Sequence, residues 1–357
     1  MSSIAEIQLI AVFISLACAI PGTFLVLRRM SMMSDSITHT ILLGIVLAFF
    51  ITHDLGSPLL IIGAALMGVF TVWLTELLSK ARLVGEDSAI GLVYPLLFSV
   101  AIILISRFAQ HIHIDTNTVL LGELAFAPFD RLILFGTDVG ARFIYTSGLM
   151  LAVNVVLVLL FFKELKIVSF DPVAASVLGI SLPLFHYGLM TIVSMTTVVA
   201  FEAVGAILVV AFMIGPPSAA YLLTKTLKGM LFYSSLFAVV SALAGFRAAL
   251  ILDVSIAGSM AVAVGLVFTL VFIFAPDEGL MTSLLKKSQQ RRHFDELALL
   301  YHLSKHPDNM DGIGWNPPRL NQVLQGLEKH GSILLEGDQV KITPSGLNAL
   351  SELEASL

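Results

Sequence analysis

Apolar residues in the first 275 positions fall into long runs with no polar stripe at helical or alternating spacing, and polar residues collect in the short gaps between runs. A segment that is apolar on every side has no face for water, so each run predicts a helix immersed in hydrocarbon. Runs near 5–27, 36–51, 58–78, 89–107, 143–162, 182–201, 203–223, 230–250 and 256–275 approach or exceed the length needed to cross roughly 30 Å at about 1.5 Å per residue. The second run is short, the sixth and seventh adjoin without a loop, and Thr116 to Phe135 is a candidate re-entrant segment. The expectation is an all-α polytopic membrane protein of about 8–9 transmembrane helices. Small residues at close intervals, as in Gly44 with Ala48 and Gly63 with Gly68, predict helices whose backbones approach closely.

The pattern changes after position 280. Leu320, Val323, Leu324 and Leu327 recur at helical spacing, and Ser332 to Leu335 and Val340 to Ile342 flank Glu336-Gly337-Asp338-Gln339, a hairpin signature. The expected division is a membrane unit over 1–280 and a tail over 281–357. Within the tail, about 293–357 resembles a small α+β winged-helix domain. Winged helices often bind DNA, but from Arg291 to Leu357 the tail has six Arg or Lys against nine Asp or Glu. That balance is opposite to a nucleic-acid footprint and favours a protein-contact or regulatory module.

Composition narrows the function. Of 357 residues 57% are hydrophobic and 13% charged, outside the range of soluble domains. The single cysteine, Cys18, excludes an intramolecular disulfide and a thiolate metal cluster. No glycine loop ends in Lys-Ser or Lys-Thr, so ATP hydrolysis is expected on a separate subunit and this chain is expected not to be an enzyme. Arg28, Arg29, Lys80, Arg82, Lys163, Lys166, Lys225, Lys228, Lys286 and Lys287 fall at alternate gaps, whereas the opposite side holds only Arg107, Arg131, Arg142 and Arg247. The basic side is therefore expected to be cytoplasmic, with the N-terminus outside and the tail inside.

Asp35 and His39 stand four residues apart beside an apolar run. One helical turn puts both on one face, where a carboxylate oxygen and an imidazole nitrogen can share a divalent cation. Ionisable groups at membrane depth are costly, by about 2.5–3.5 kcal/mol each on insertion scales, which asks for a function. The structural alternative is that Asp35 caps backbone amides at a helix start while His39 bonds a neighbouring helix. Two gap segments share a capped-helix grammar. Pro216, Pro217, Ser218, Ala219, Ala220, Tyr221, Leu222 and Leu223 predict a short surface helix closed by Gly229, or else the proline-kinked end of a span. Phe170, Asp171, Pro172 and onward to Gly179 predict another, with Asp171 as cap. On the opposite side His111, His113 and Asp115 alternate with apolar residues, so an extended segment would present three donors together or simply a solvated loop. The His53-Asp54 gap reads as solvated, and Glu202 as a gate or a turn.

Three separated stretches, from Leu27 to His39, from Phe170 to Gly179 and from Glu202 to Ala220, occur in the order found in permease subunits of bacterial ABC importers for zinc, manganese or iron, which the chain resembles over roughly 5–275. The resemblance implies that the chain is the membrane permease of an ATP-driven importer of Mn2+, Zn2+ or Fe2+ in the bacterial cytoplasmic (inner) membrane. It implies as partners cytoplasmic ABC ATPase subunits, an extracytoplasmic metal-binding protein, and a second permease copy or a sister permease. Asp35 and His39 match the in-membrane metal positions, and Pro216 to Leu223 resembles the ATPase-coupling helix. No permanently bound cofactor is expected, the divalent metal ion being transported substrate. A different class of function, a metal-sensing membrane regulator with the winged-helix tail as output, is the alternative.

Overall fold

A computed structural model of the chain describes residues 3–54, 57, 59–81, 84–108, 124–134, 137–276, 279–305, 315–336 and 339–348. It divides into two compact units, Met1–Ile273 and Phe274–Leu357.

In the first unit the long helices are α1 (Ser3–Leu27), α2 (Ser31–Thr52), α3 (Leu59–Lys80), α4 (Glu86–Phe108), α5 (Arg142–Leu160), α8 (Leu182–Val204), α9 (Ala206–Leu223), α10 (Leu227–Leu252) and α11 (Ile256–Phe274). Among the described residues these nine are long and apolar enough to cross a membrane. Between α4 and α5 lie a 3-10 helix (Leu124–Phe129) and an antiparallel hairpin, β1 (Arg131–Leu134) with β2 (Thr137–Ala141). Between α5 and α8 lie two short helices, α6 (Phe162–Phe170) and α7 (Pro172–Val177).

The bundle is built around α1, whose Ile10, Ile14, Cys18, Phe24 and Leu25 are fully buried. It packs against α5, α8, α9 and α10. A second apolar cluster, with Leu42, Leu43 and Val46 of α2 against Val93, Leu97 and Ala101 of α4, joins α2 and α4. Some polar side chains inside the bundle bond across helices, which satisfies them in apolar surroundings. The Asn154 amide donates to the Ala17 carbonyl at 2.8 Å, and the Thr71 hydroxyl donates to Thr40 at 2.8 Å. Glu6, buried in the first turns of α1, accepts from Arg131 of β1 at 3.1 Å and fastens the hairpin to that end of the bundle.

Three local features depart from the hydropathy pattern. α2 begins at Ser31 and takes in Ser34, Asp35 and Ser36, because hydroxyls in a helix can turn back on its own carbonyls. Thr38 does so, donating to the Asp35 carbonyl at 2.6 Å. The α8–α9 break is one residue, Gly205, at φ +78°, a backbone conformation that a side chain would strain. Pro216 and Pro217 do not open a separate helix; they lie inside α9, which runs unbroken to Leu223, and Gly229 lies inside α10. From Leu124 onward, the segment read as a re-entrant candidate is the 3-10 helix leading into the hairpin.

In the second unit α12 (Leu280–Lys305), α13 (Pro317–Lys329) and the antiparallel hairpin β3 (Ile333–Glu336) with β4 (Gln339–Ile342) enclose Leu299, Leu300, Leu303, Val323, Leu327 and Ile333. Arg319 makes a two-pronged bond to the nearly buried Asp295 at 2.7 and 3.0 Å, and lies 4.9 Å over the Trp315 ring. That pairing holds the Arg319 guanidinium above its ordinary pKa.

Candidate functional site

Asp35 occupies the fifth position of α2, too deep in the helix to cap it, and Met30 at the cap position makes no side-chain bond. The capping alternative for Asp35 is therefore not what the fold contains. His39 Nε2 instead faces Asp35 Oδ1 at 3.6 Å, beyond hydrogen-bond distance, so both atoms point into a common space without closing it. Their side chains are 30% and 35% exposed, whereas Ser34, Ser36, Ile37, Thr38 and Thr40 around them are buried. The pair thus lies on the one open stripe of this part of α2. Tyr94 and Phe98 of α4 flank the imidazole, at 5.5 Å in a stacked and 5.8 Å in an edge arrangement. The buried side of the same turn is anchored by Ser34, whose hydroxyl donates to the Met213 sulfur of α9 at 3.0 Å. Among the described residues no third His, Cys, Asp or Glu joins the pair to make a larger ligand cluster.

The other expected site residues are dispersed. His111, His113 and Asp115 lie outside the described residues. Pro216, Pro217, Ala219 and Ala220 are buried in the last turns of α9. Ser218, Leu222 and Leu223 are half-buried and Tyr221 is exposed, so the segment is the end of a span with one projecting side chain rather than a separate surface helix. The segment from Phe170 to Gly179 does form an isolated surface element. Asp171 Oδ1 accepts the Ala174 amide at 2.9 Å and caps α7, Pro172 opens it, and Gly179 at φ +78° closes the turn after it. Phe170, Val173, Val177 and Leu178 project from it, 54 to 82% exposed. His53, in the left-handed conformation, ends α2 through its backbone amide, and Glu202 is exposed in the last turn of α8 rather than in a loop.

One constellation escaped the sequence reading. Glu76 of α3 accepts from Tyr187 and from Lys80 at 2.9 Å each, and His186 Nε2 meets its other oxygen. Arg28, in the turn between α1 and α2, reaches His186 Nδ1 at 3.1 Å. Burial lowers the Arg28 guanidinium from its ordinary pKa, and the Glu76 carboxylate opposes that shift. In sequence Arg28 and Lys80 stand out as basic gap residues, with no sign of a shared partner. The overlooked signal is Glu76, a lone acid inside an apolar run, with Lys80 one helical turn on.

Comparison with known proteins places this geometry. Residues 2–275 match the ABC 3 transport family. The chain belongs to that family. The zinc transport system membrane protein TroD of Treponema pallidum (strain Nichols) is 40% identical over 99% of each chain. The manganese transport system membrane protein MntD of Bacillus subtilis (strain 168) is 43% identical over 80% of this chain and 97% of its own. The match to TroD therefore runs through the tail, whereas the match to MntD takes in almost all of that protein but leaves a fifth of this chain uncovered. Among solved structures, PsaBC from Streptococcus pneumoniae in complex with Fab aligns with a TM-score of 0.65 at 27% identity, covering 78% of this chain and 94% of that one. As a member of the ABC 3 transport family the chain is a multi-pass membrane permease subunit and not an enzyme.

Proposed function

We propose that the chain is one permease of an ATP-driven importer that carries a divalent transition-metal cation, manganese, zinc or iron(II), across the bacterial cytoplasmic membrane. The observation that carries this reading is the Asp35–His39 pair, two facing donor atoms 3.6 Å apart on the open stripe of an otherwise buried turn. A cation bonded at about 2.1 Å to both would see them at an angle of roughly 118°, near the tetrahedral value, and a small rotamer change reaches the octahedral one. Two protein ligands replace part of a hydration shell without forming a closed cage, which suits passage rather than storage. The remaining positions would be filled by water and by the equivalent pair of a second copy or sister permease.

The basic gaps set the direction. With Arg28, Arg29, Lys80, Lys163 and Lys166 toward the cytoplasm, the N-terminus is outside and the tail inside. The capped helix α7, with Phe170, Asp171, Pro172 and Gly179, then faces the cytoplasm and is an ATPase contact, supported by its exposed apolar face; the end of α9, Pro216 to Leu223, reaches the same face and offers exposed Tyr221 as a second contact. The extracytoplasmic metal-binding protein docks on the opposite face, to which His111, His113 and Asp115 belong in chain order. The tail, with its helix, helix and hairpin, is a winged-helix-like protein-contact domain. Its counterpart lies within the TroD match, and TroD is named as a transport protein, which supports a tail that serves transport over a sensor's output domain.

The test is ATP-driven uptake of radioactive manganese, with zinc and iron(II) as competitors, by the complete assembly in proteoliposomes. Asp35→Asn and His39→Gln are each expected to cut uptake by at least about tenfold while the ATPase still co-purifies. Uptake at the parental rate in both variants refutes the assignment.

A further inference from the structure

We propose that Glu76 is the hub of a positioning latch, made with Arg28, His186, Tyr187 and Lys80, that passes a displacement of the surface helix α7 to the α1–α2 turn and so to the Asp35–His39 pair. The inference rests on the transport reading above and adds residues that act through others rather than on the metal.

Four contacts make up the latch: Arg28 to His186, His186 to Glu76, Tyr187 to Glu76 and Lys80 to Glu76. Arginine can only donate, so its contact with His186 Nδ1 at 3.1 Å makes that nitrogen the acceptor and places the imidazole proton on Nε2, facing Glu76. The neutral ring therefore bridges a guanidinium and a carboxylate. The second Glu76 oxygen accepts from Tyr187 and Lys80, so one carboxylate collects donors from α8 and α3 and, through the ring, from the α1–α2 turn. Charge-assisted bonds of this kind are short and directional, and His186 is only 12% exposed, so a shift of α8 by about 1 Å breaks them together rather than stretching them gradually.

The same groups line a cavity of about 510 Å³ whose other wall is Val168 and Ser169 of α6, Pro172 of α7, and Leu182 and Pro183 of α8. The mechanical path is short. α7 is joined to α8 by residues 178–181, a link stiffened by Ile180 donating to the Ala175 carbonyl at 3.0 Å, and His186 is the fifth residue of α8. On the receiving side the α1–α2 turn is tight: Arg29 is left-handed at φ +58° and the Met30 amide donates to the Leu25 carbonyl at 2.8 Å. α2 starts immediately after it, with Asp35 in its second turn. The cavity is not a second metal site, because Arg28, Arg29 and Lys80 outnumber the single carboxylate and repel a dication.

The experiment uses the complete assembly of permeases, ATPase and binding protein in proteoliposomes. It measures manganese imported per ATP hydrolysed and, without ATP, manganese bound per assembly. E76Q and H186Q are expected to lower import per ATP by about tenfold while ATP hydrolysis continues and bound manganese stays within about twofold of the parent. Tyr187→Phe removes one donor without changing the fold and is expected to lower the ratio by about threefold, which keeps the test decisive if E76Q fails to assemble. A parental ratio in H186Q and Tyr187→Phe, or hydrolysis and import falling in proportion, overturns the latch alone. No import of manganese, zinc or iron(II) by the parent assembly overturns the transport reading and the latch with it.

Discussion

Gly44→Ala sets a methyl group into the closest approach between α2, which carries the Asp35–His39 pair, and α3, which carries Glu76. A Cβ at this position would lie 2.4 Å from the Gly63 carbonyl oxygen, 2.7 Å from Met67 Cβ and 2.8 Å from Ala64 Cα. Ordinary carbon–oxygen contact begins at about 3.3 Å, so the helices must part by roughly 1 Å. Two of the three obstacles are backbone atoms, which no rotamer change can move aside. Overpacking costs about 1–3 kcal/mol, and backbone obstacles place this case in the upper half of that range. Alanine returns up to about 1 kcal/mol of helix propensity. The net loss is about 1–2 kcal/mol, a factor of roughly 5–30 in the folding equilibrium. Titration of the detergent-solubilised chain with sodium dodecyl sulfate, followed by circular dichroism, reads the shift directly. Gly265→Ala is the control, since a Cβ there meets nothing within 4 Å, and it is expected to move the midpoint slightly the other way. A Gly44→Ala midpoint at or above the parent, or the same sign of shift in both variants, refutes the close-approach argument.

Two further outcomes follow from the surface elements. Asp171→Ala removes the acceptor of the Ala174 amide and should cost α7 about 0.5–2 kcal/mol, weakening ATPase association several-fold in a surface-binding measurement, while Asp171→Asn restores most of it; unchanged affinity in the alanine variant argues against α7 as the docking element. The Asp138 carboxyl is held below its usual range by the Arg131 guanidinium and the Gly140 amide. A depressed folded-state pKa means that this stabilisation is complete above the unfolded value of about 3.9 and is lost only as pH falls through the lower folded value. Exchange protection of the Gly140 amide should therefore persist through pH 3.9 and fall below it in the parent, and be weak throughout in Arg131→Gln; equal protection in the two would show that the pairing does not order the hairpin.

How much of this was legible beforehand differs by element. The nine long helices could be read from hydropathy because lipid exposure leaves a local signature, a run apolar on every side. α2 was read five residues short, since Ser31 to Asp35 look like a gap until the hydroxyls and carboxylate are seen bonded or facing a neighbour inside the bundle. The Asp35–His39 pair could be read because both members sit one turn apart on one helix. The Pro216-Pro217 segment admits two readings in sequence because proline at a helix opening and proline inside a packed membrane helix look alike in one dimension; burial of both prolines selects the second. Glu76 and His186 are 110 positions apart, and no local pattern links them.

Chain chemistry alone therefore dictated which segments enter the bilayer, which face is basic, and which turn offers a carboxylate beside an imidazole, because each of these depends on residues within a few positions of one another. Packing settled the remainder: that Pro216 and Pro217 are buried inside α9 while α7 stands as a separate surface helix, that Gly44 and Gly63 let α2 and α3 nearly touch, and that Arg28, Glu76 and His186 share one cavity. Those outcomes depend on which distant surfaces bury each other, a free-energy balance summed over the whole bundle that no single stretch of residues encodes.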